Sequence, residues 1–169
     1  MNITKEQAFS LVELLYSLLL LSILLAVATP NLKLLIERNQ EGALRDSLIA
    51  FLNEARSHAI TLRRNVRLCG SSDGLTCDGD WQRYWLMITT DNDQTIQLHH
   101  LSDTADLCWR GARDSIEFHP NGTTLLGNGR FSLCRSDGVA WQLVLSRQGR
   151  LRFAGDEGAG CCPTGDTTS

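Results

Sequence analysis

The sequence predicts an α+β protein in which one long N-terminal helix packs on an antiparallel β-sheet. Three observations lead to this fold class. A nearly uninterrupted apolar run, FSLVELLYSLLLLSILLAVA, fills residues 9–28. An amphipathic helical pattern continues from there to Leu62. From Val66 onward the apolar period falls to two, and short turn segments separate the runs.

The apolar run is long enough to cross a bilayer, because twenty helical residues at about 1.5 Å each reach about 30 Å. It nevertheless contains the carboxylate of Glu13, and a charge at bilayer depth needs a partner or a purpose. A signal peptide is disfavoured, since the run exceeds the usual h-region and no A-x-A site follows it. A plain membrane anchor is the alternative, and it gives Glu13 no role.

The second part of the predicted helix has one apolar face. Beyond Pro30, apolar residues recur at spacings of three and four, while charged residues occupy the other faces. The apolar positions are Leu32, Leu35, Ile36, Ala43, Leu44, Leu48, Phe51, Leu52, Ala55, Ala59 and Leu62. This pattern predicts one helix from about Phe9 to about Leu62, whose second half packs on a globular domain.

Seven short runs after the helix are strand candidates. They are VRLC, YWLMITT, TIQLHHL, SIEFH, RFSLC, AWQLVLS and RLRF, separated by turn segments such as SSDG, PNG and RQG. Tight turns between successive strands predict one antiparallel sheet packed on the amphipathic half of the helix. The tail from Gly155 is rich in glycine and is predicted to be loose.

The start of the chain resembles a type IV prepilin. A short polar leader with a lysine, MNITKEQA, precedes Phe9; Glu13 follows four residues later, and the apolar run continues to Pro30. The resemblance implies that prepilin peptidase cuts between Ala8 and Phe9 and methylates the new amino terminus. It also implies that Glu13 is the counter-charge of that amine when helices pack in a filament. The family usually has glycine before the cut, where this chain has Ala8.

Motifs along the rest of the chain resemble the GspH/FimT branch of minor pilins and pseudopilins. They are EARSHAI at residues 54–60, then VRLCGSSDGLTCDGDW, IEFHPNG, FSLC and SRQGRLR. The resemblance implies a leader at 1–8, a transmembrane and filament-core helix half at 9–29, a globular pilin domain at 30–154 and a flexible tail at 155–169. It further implies an inner-membrane protein with a periplasmic domain that joins other pilins in a pilus filament.

The six cysteines indicate disulfides, because an even number follows a membrane-targeting segment. The sequence leaves their connectivity open. Cys69 with Cys77, across the loop GSSDGLT, is the best local pair, and Cys134 with Cys161 or Cys162 is the second.

No catalytic or metal-binding constellation stands out, so neither an enzymatic activity nor a cofactor is predicted. The cysteines form no C-x-x-C pair and the histidines complete no zinc spacing. His99 and His100 are adjacent on a predicted strand, so their side chains face opposite ways. The four tryptophans could stack on bases, but packing within a small sheet domain is the favoured interpretation.

One local feature opposes the formal net charge of −3, which by itself gives no sign of nucleic-acid binding. In SRQGRLRF, Arg147, Arg150 and Arg152 surround a turn at Gly149. On a strand, Arg150 and Arg152 project from one face about 7 Å apart, a spacing that matches successive phosphates. From the residues alone, a solvated basic strand that discourages edge-to-edge pairing is the alternative.

The string Gly149-Arg150-Leu151-Arg152 matches the GRxR motif of FimT-like minor pilins. That resemblance implies that Arg150 and Arg152 bind DNA phosphates during uptake for natural transformation, that Gly149 sets the turn, and that Arg147 assists by proximity. A second basic run, Arg63, Arg64 and Arg67, would extend this surface if the fold brought it near.

The sequence is compatible with two kinds of function, DNA binding and a purely structural role. The first is a minor pilin that binds DNA without sequence preference through the GRxR motif. The second is a structural subunit, either a type II secretion pseudopilin or a minor pilin that primes assembly without binding DNA. Both need Glu13 and the helix, whereas only the first needs the arginines.

Overall fold

The computed structural model describes residues 11–101, 106–135 and 138–155. Ala8, Phe9, Cys161 and Cys162 lie outside the described residues, so the predicted cleavage site and the predicted partners of Cys134 do too. The chain divides into two compact units, residues 1–42 and 43–169.

Helix α1 runs from Leu11 to Leu62 and continues through Pro30 and Gly42 without interruption. In the first unit the large apolar side chains whose burial is described, from Leu11 to Leu25 and from Leu32 to Ile36, are exposed, as expected of a segment that finds no partner within its own unit. In the part of the chain that the structure describes, no helix combines the length and the hydropathy needed to span a membrane.

Eight strands follow the helix among the described residues. They are β1 (Val66–Ser71), β2 (Tyr84–Thr89), β3 (Thr95–His100), β4 (Leu107–Gly111), β5 (Ser115–Phe118), β6 (Gly129–Arg135), β7 (Gly138–Leu145) and β8 (Leu151–Gly155).

The strands form two sheets rather than the single sheet expected from the sequence. The first sheet has the order β3-β2-β1-β5 and the second has the order β4-β6-β7-β8, and every pairing is antiparallel. Strand β4 is absent from the sequence prediction, and it forms the edge of the second sheet beside β6. The α+β class and the antiparallel pairing are confirmed.

The second half of α1 supplies one wall of the hydrophobic core. Leu48, Phe51, Leu52, Ala55 and Ala59 are buried, at the spacing of three and four that the amphipathic pattern predicts. They belong to one cluster with buried side chains of both sheets: Val66, Leu68, Trp85, Met87, Ile116 and Phe118 from the first, and Leu107, Phe131, Leu133, Trp141, Leu143 and Leu145 from the second.

Aromatic side chains fill the centre of this core. The ring of Phe131 lies 4.9 Å from that of Trp81, edge-on, and 4.5 Å from that of Trp109. Trp85 stacks on His99 at 4.8 Å and donates its indole N–H to the carbonyl of Trp81 at 3.0 Å. Trp81 and Trp85 are therefore buried in the protein interior, and Trp109 packs against the core from a half-buried position.

A disulfide joins Cys69 of β1 to Cys77 and closes the loop between them. Inside this loop, backbone N–H groups of Thr76 and Leu75 donate to the carboxylate of Asp73 at 2.8 Å each, and these bonds hold the pKa of that carboxyl well below its usual range. Cys108 and Cys134, on the neighbouring strands β4 and β6, are also disulfide-bonded.

Candidate nucleic-acid interface

The turn between β7 and β8 is closed by hydrogen bonds at both ends. Ser146 N–H donates to the carbonyl of Arg150 at 2.9 Å, and Gly149 N–H donates to the carbonyl of Ser146 at 2.9 Å. Arg150 N–H also donates to the hydroxyl of Ser146 at 3.2 Å. These hydrogen bonds therefore fix the backbone conformation of the turn that carries the arginines.

Gly149 is required by both conformation and space. Its φ of +71° lies in the left-handed region that favours glycine. A Cβ at this position would lie 2.5 Å from the carbonyl oxygen of Gly122, closer than van der Waals contact allows. The sequence prediction that Gly149 sets the turn has this physical basis.

Two other elements hold the turn from outside. The guanidinium of Arg56, on α1, donates to the carbonyl of Gly149 at 3.1 Å. Buried Thr124 donates its N–H to the carbonyl of Arg147 at 2.8 Å and its hydroxyl to the carbonyl of Ser146 at 3.1 Å. Sequence reasoning missed Arg56 and Thr124, because only the fold brings residues so distant in the chain beside the turn.

The side chains of Arg147, Arg150 and Arg152 are exposed. Leu151, the first residue of β8, is half-buried against the core, so Arg152 projects from the opposite face of the strand, and Arg150 lies in the turn just before it. Arg147 donates to the side-chain oxygen of Asn128 at 3.4 Å. Among the described residues, none of these three arginines forms an ion pair with a carboxylate, so their charges are available to an anion.

The second basic run has a different environment. Arg64 pairs with Asp91 at 2.7 Å, and Arg67, in β1 of the first sheet, pairs with Glu117 at 3.9 Å. These carboxylates balance the charges of Arg64 and Arg67, which are therefore less available to an anion than the arginines of the β7–β8 turn.

Residues 45–149, more than half of the chain, match the family model of the type II transport protein GspH. The chain belongs to the GspH family. Its members are pilin-like proteins, the class that includes the minor pilins of type IV pili and the pseudopilins of type II secretion. Such proteins are structural subunits that associate with other pilins in a filament, and they are located in the pilus or anchored to a membrane.

Solved structures show the same fold. This GspH-family chain is similar to the type IV minor pilin FimU of Pseudomonas aeruginosa strain PAO1 in two crystal forms. The P21 form has a TM-score of 0.58 and 23% identity, covering 74% of this chain and 96% of FimU. The P65 form has a TM-score of 0.54 and 23% identity, covering 69% and 94%. No curated protein matches the sequence.

The two adjacent histidines of β3 pack against aromatic rings of the neighbouring strand β2. The rings of His99 and His100 stack on Trp85 and Tyr84 respectively, and burial lowers the pKa of His99. In residues 11–101, 106–135 and 138–155, no cluster of histidine, cysteine and carboxylate side chains could hold a metal ion. Glu13 lies in the first turn of the described helix.

Proposed function

We propose that this protein is a minor pilin of a type IV pilus system and that it binds DNA without sequence preference during uptake for natural transformation. The observation that supports it best is the β7–β8 turn, where Arg147, Arg150 and Arg152 are exposed on a backbone fixed from three sides. A fixed turn reduces the conformational entropy lost when the guanidiniums bind a phosphate backbone.

Binding of this kind is electrostatic. Arg150 and Arg152 contact phosphates, Gly149 holds the turn, and Arg147 adds a third charge beside them. Phosphate contacts position a protein on DNA without reading the bases, and each contact adds to the salt dependence of the affinity. Few contacts per subunit give a dissociation constant on the order of micromolar or weaker. Filament retraction then draws the bound DNA toward the uptake machinery.

The N-terminal segment anchors the subunit in this proposal. Prepilin peptidase cuts between Ala8 and Phe9, and residues 9–29 hold the protein first in the inner membrane and then in the filament core. The exposed apolar side chains of α1 in the first unit support this role, because they need lipid or neighbouring helices to cover them. Glu13 pairs with the methylated amine of Phe9, because a buried amine without a counter-charge would be costly.

A second candidate is a structural pseudopilin of a type II secretion system, with the globular domain in the periplasm and no DNA ligand. The family description, type II transport protein GspH, favours it. In that case the exposed arginines are a solvated edge of β8, where charge discourages pairing with other sheets.

The double substitution Arg150→Ala and Arg152→Ala tests the proposal. We expect the full-length chain in non-ionic detergent micelles to bind unrelated 20-base-pair duplexes alike. We expect the double variant to bind at least about tenfold more weakly, with a salt slope smaller by about 1.8 because two phosphate contacts are lost. Fluorescence anisotropy with labelled duplexes, across a salt series, measures both.

Arg64→Ala with Arg83→Ala is the matched control. It also removes two positive charges, from exposed arginines that lie just before strands β1 and β2 of the first sheet. The affinity of this variant for the duplexes should stay within about twofold of the wild type. Equal losses in the two double variants would show that only net charge matters, and would contradict a site at the β7–β8 turn. A folded wild type that binds no duplex at low salt would favour the pseudopilin.

A further inference from the structure

Two more arginines share the face of the second sheet that carries Arg152. The strand register places Arg110 of β4 opposite Arg130 of β6, Arg130 opposite Val144 of β7, and Val144 opposite Arg152 of β8. Residues opposite each other in a sheet project from the same face. Arg110, Arg130 and Arg152 therefore lie in one row across all four strands, on the face opposite the buried ring of Phe131.

The row joins the arginines of the β7–β8 turn. Arg150 precedes Arg152 by two residues and is exposed in the turn that leads into β8. Arg147 contacts the side chain of Asn128, which precedes Arg130 by two residues. Five arginines from three separate segments of the chain thus form one surface, called here the arginine face: Arg110, Arg130, Arg147, Arg150 and Arg152.

The arginine face is without carboxylate partners in residues 11–101, 106–135 and 138–155. Among the described residues, no carboxylate forms an ion pair with any of the five side chains. Arg110 stands directly opposite Arg130, and like charges in opposed cross-strand positions are destabilising. A polyanion lying on this face would relieve that repulsion. If the face were purely structural, replacing either Arg110 or Arg130 would make the protein more stable.

The size of the face fits a duplex better than one nucleic-acid strand. Neighbouring strands lie about 4.8 Å apart, so the row from Arg110 to Arg152 is about 14 Å long. The major groove of B-DNA is about 12 Å wide. When Arg150 and Arg152 contact one phosphodiester backbone, Arg110 and Arg130 are at the distance of the backbone across the groove.

We propose that Arg110 and Arg130 form a second phosphate-binding site, and that duplex DNA lies along the end of this face next to the β7–β8 turn. The contact ends within two residues along the strands, because Ser132 and Gln142 project from the same face and are fully buried. This inference rests on the proposed function and extends it from one turn to a row of arginines across the sheet. It also assigns the ligand as double-stranded DNA.

The double substitution Arg110→Gln and Arg130→Gln tests the second site in the full-length chain in non-ionic detergent micelles. Five phosphate contacts give a salt slope of about −4.5, and three give about −2.7. We therefore expect the slope for a 20-base-pair duplex to shrink by about 1.8 and the affinity at low salt to fall at least about tenfold. Arg64→Gln with Arg83→Gln is the control of equal charge and should leave the slope unchanged.

Thermal unfolding shows whether the variant is folded, and a comparison of duplex with single-stranded DNA shows which ligand the second site binds. The thermal midpoint of the Arg110→Gln, Arg130→Gln variant should equal or exceed that of the wild type, because the like-charge pair is gone. The loss of affinity should be larger for the duplex than for a single strand of the same length, since only the duplex has a second backbone.

The outcomes distinguish failure of this inference from failure of the proposed function. In one outcome, the Arg110→Gln, Arg130→Gln variant keeps the salt slope and affinity of the wild type, while Arg150→Ala with Arg152→Ala loses binding. That result would overturn the second site at Arg110 and Arg130 and leave the site at Arg150 and Arg152. Absence of duplex binding by the wild type would overturn both. Unchanged DNA binding together with lost binding to vesicles of anionic lipid would assign the two arginines to a membrane surface instead.

Discussion

Phe131→Ala is expected to lower the free energy of unfolding by about 3–5 kcal/mol, the usual cost of removing a buried phenylalanine ring. Phe131 is fully buried between the rings of Trp81 and Trp109, and its strand β6 lies between β4 and β7. The substitution leaves a cavity beneath the sheet that carries the arginines. Urea denaturation followed by tryptophan fluorescence measures the loss.

Phe153→Ala is the control for this substitution in the same sheet. The side chain of Phe153 is 53% exposed and carries the guanidinium of Arg45 over its ring at 5.3 Å. Its removal should cost less than about 1 kcal/mol. Equal losses for the two variants would mean that Phe131 does not occupy a packed core.

Gly149→Ala is expected to lower the free energy of unfolding by about 2–4 kcal/mol. About 1–2 kcal/mol comes from placing a Cβ at a φ of +71°, and the rest from its overlap with the carbonyl of Gly122. Since Arg147 and Arg150 flank this position, DNA affinity should fall with stability even though no charge is removed.

Gly155→Ala separates the two causes. Gly155 has a similar φ of +67°, but a Cβ at that position would have no atom of the described residues within 4 Å, so the conformational cost dominates, about 1–2 kcal/mol. A loss at Gly149 no larger than the loss at Gly155 would contradict the close approach to Gly122. Urea denaturation of both variants gives the comparison.

The fold was predictable from the sequence to the extent that it depends on local patterns. The spacing of Leu48, Phe51, Leu52 and Ala55 identifies the buried face of α1, and alternation identifies most strands. The division into two sheets depends on which strands pair across long stretches of chain, and local periodicity carries no information on this. Strand β4 is short and its Trp109 is only half-buried, so its alternation is weak.

The candidate site was predictable only in part, for the same reason. The turn and its arginines are contiguous in sequence, so SRQGRLR identifies them. Arg56 lies 93 residues from Gly149, whose carbonyl it binds. Arg110 and Arg130 join Arg152 only through strand register, because they lie 42 and 22 residues before it in the sequence.

The most direct test of the account is DNA uptake by cells that lack the native gene and express either the wild type or the Arg150→Ala, Arg152→Ala variant. Conversion of labelled duplex to a nuclease-resistant form measures uptake, while filament assembly and protein secretion are measured in the same cells. We expect the variant protein to reach wild-type abundance and to support filament assembly and secretion, but to lose most DNA uptake. Uptake at the wild-type level in cells that express the variant would contradict a DNA-binding role for these arginines. So would a deletion of the gene that abolishes secretion and leaves uptake unchanged.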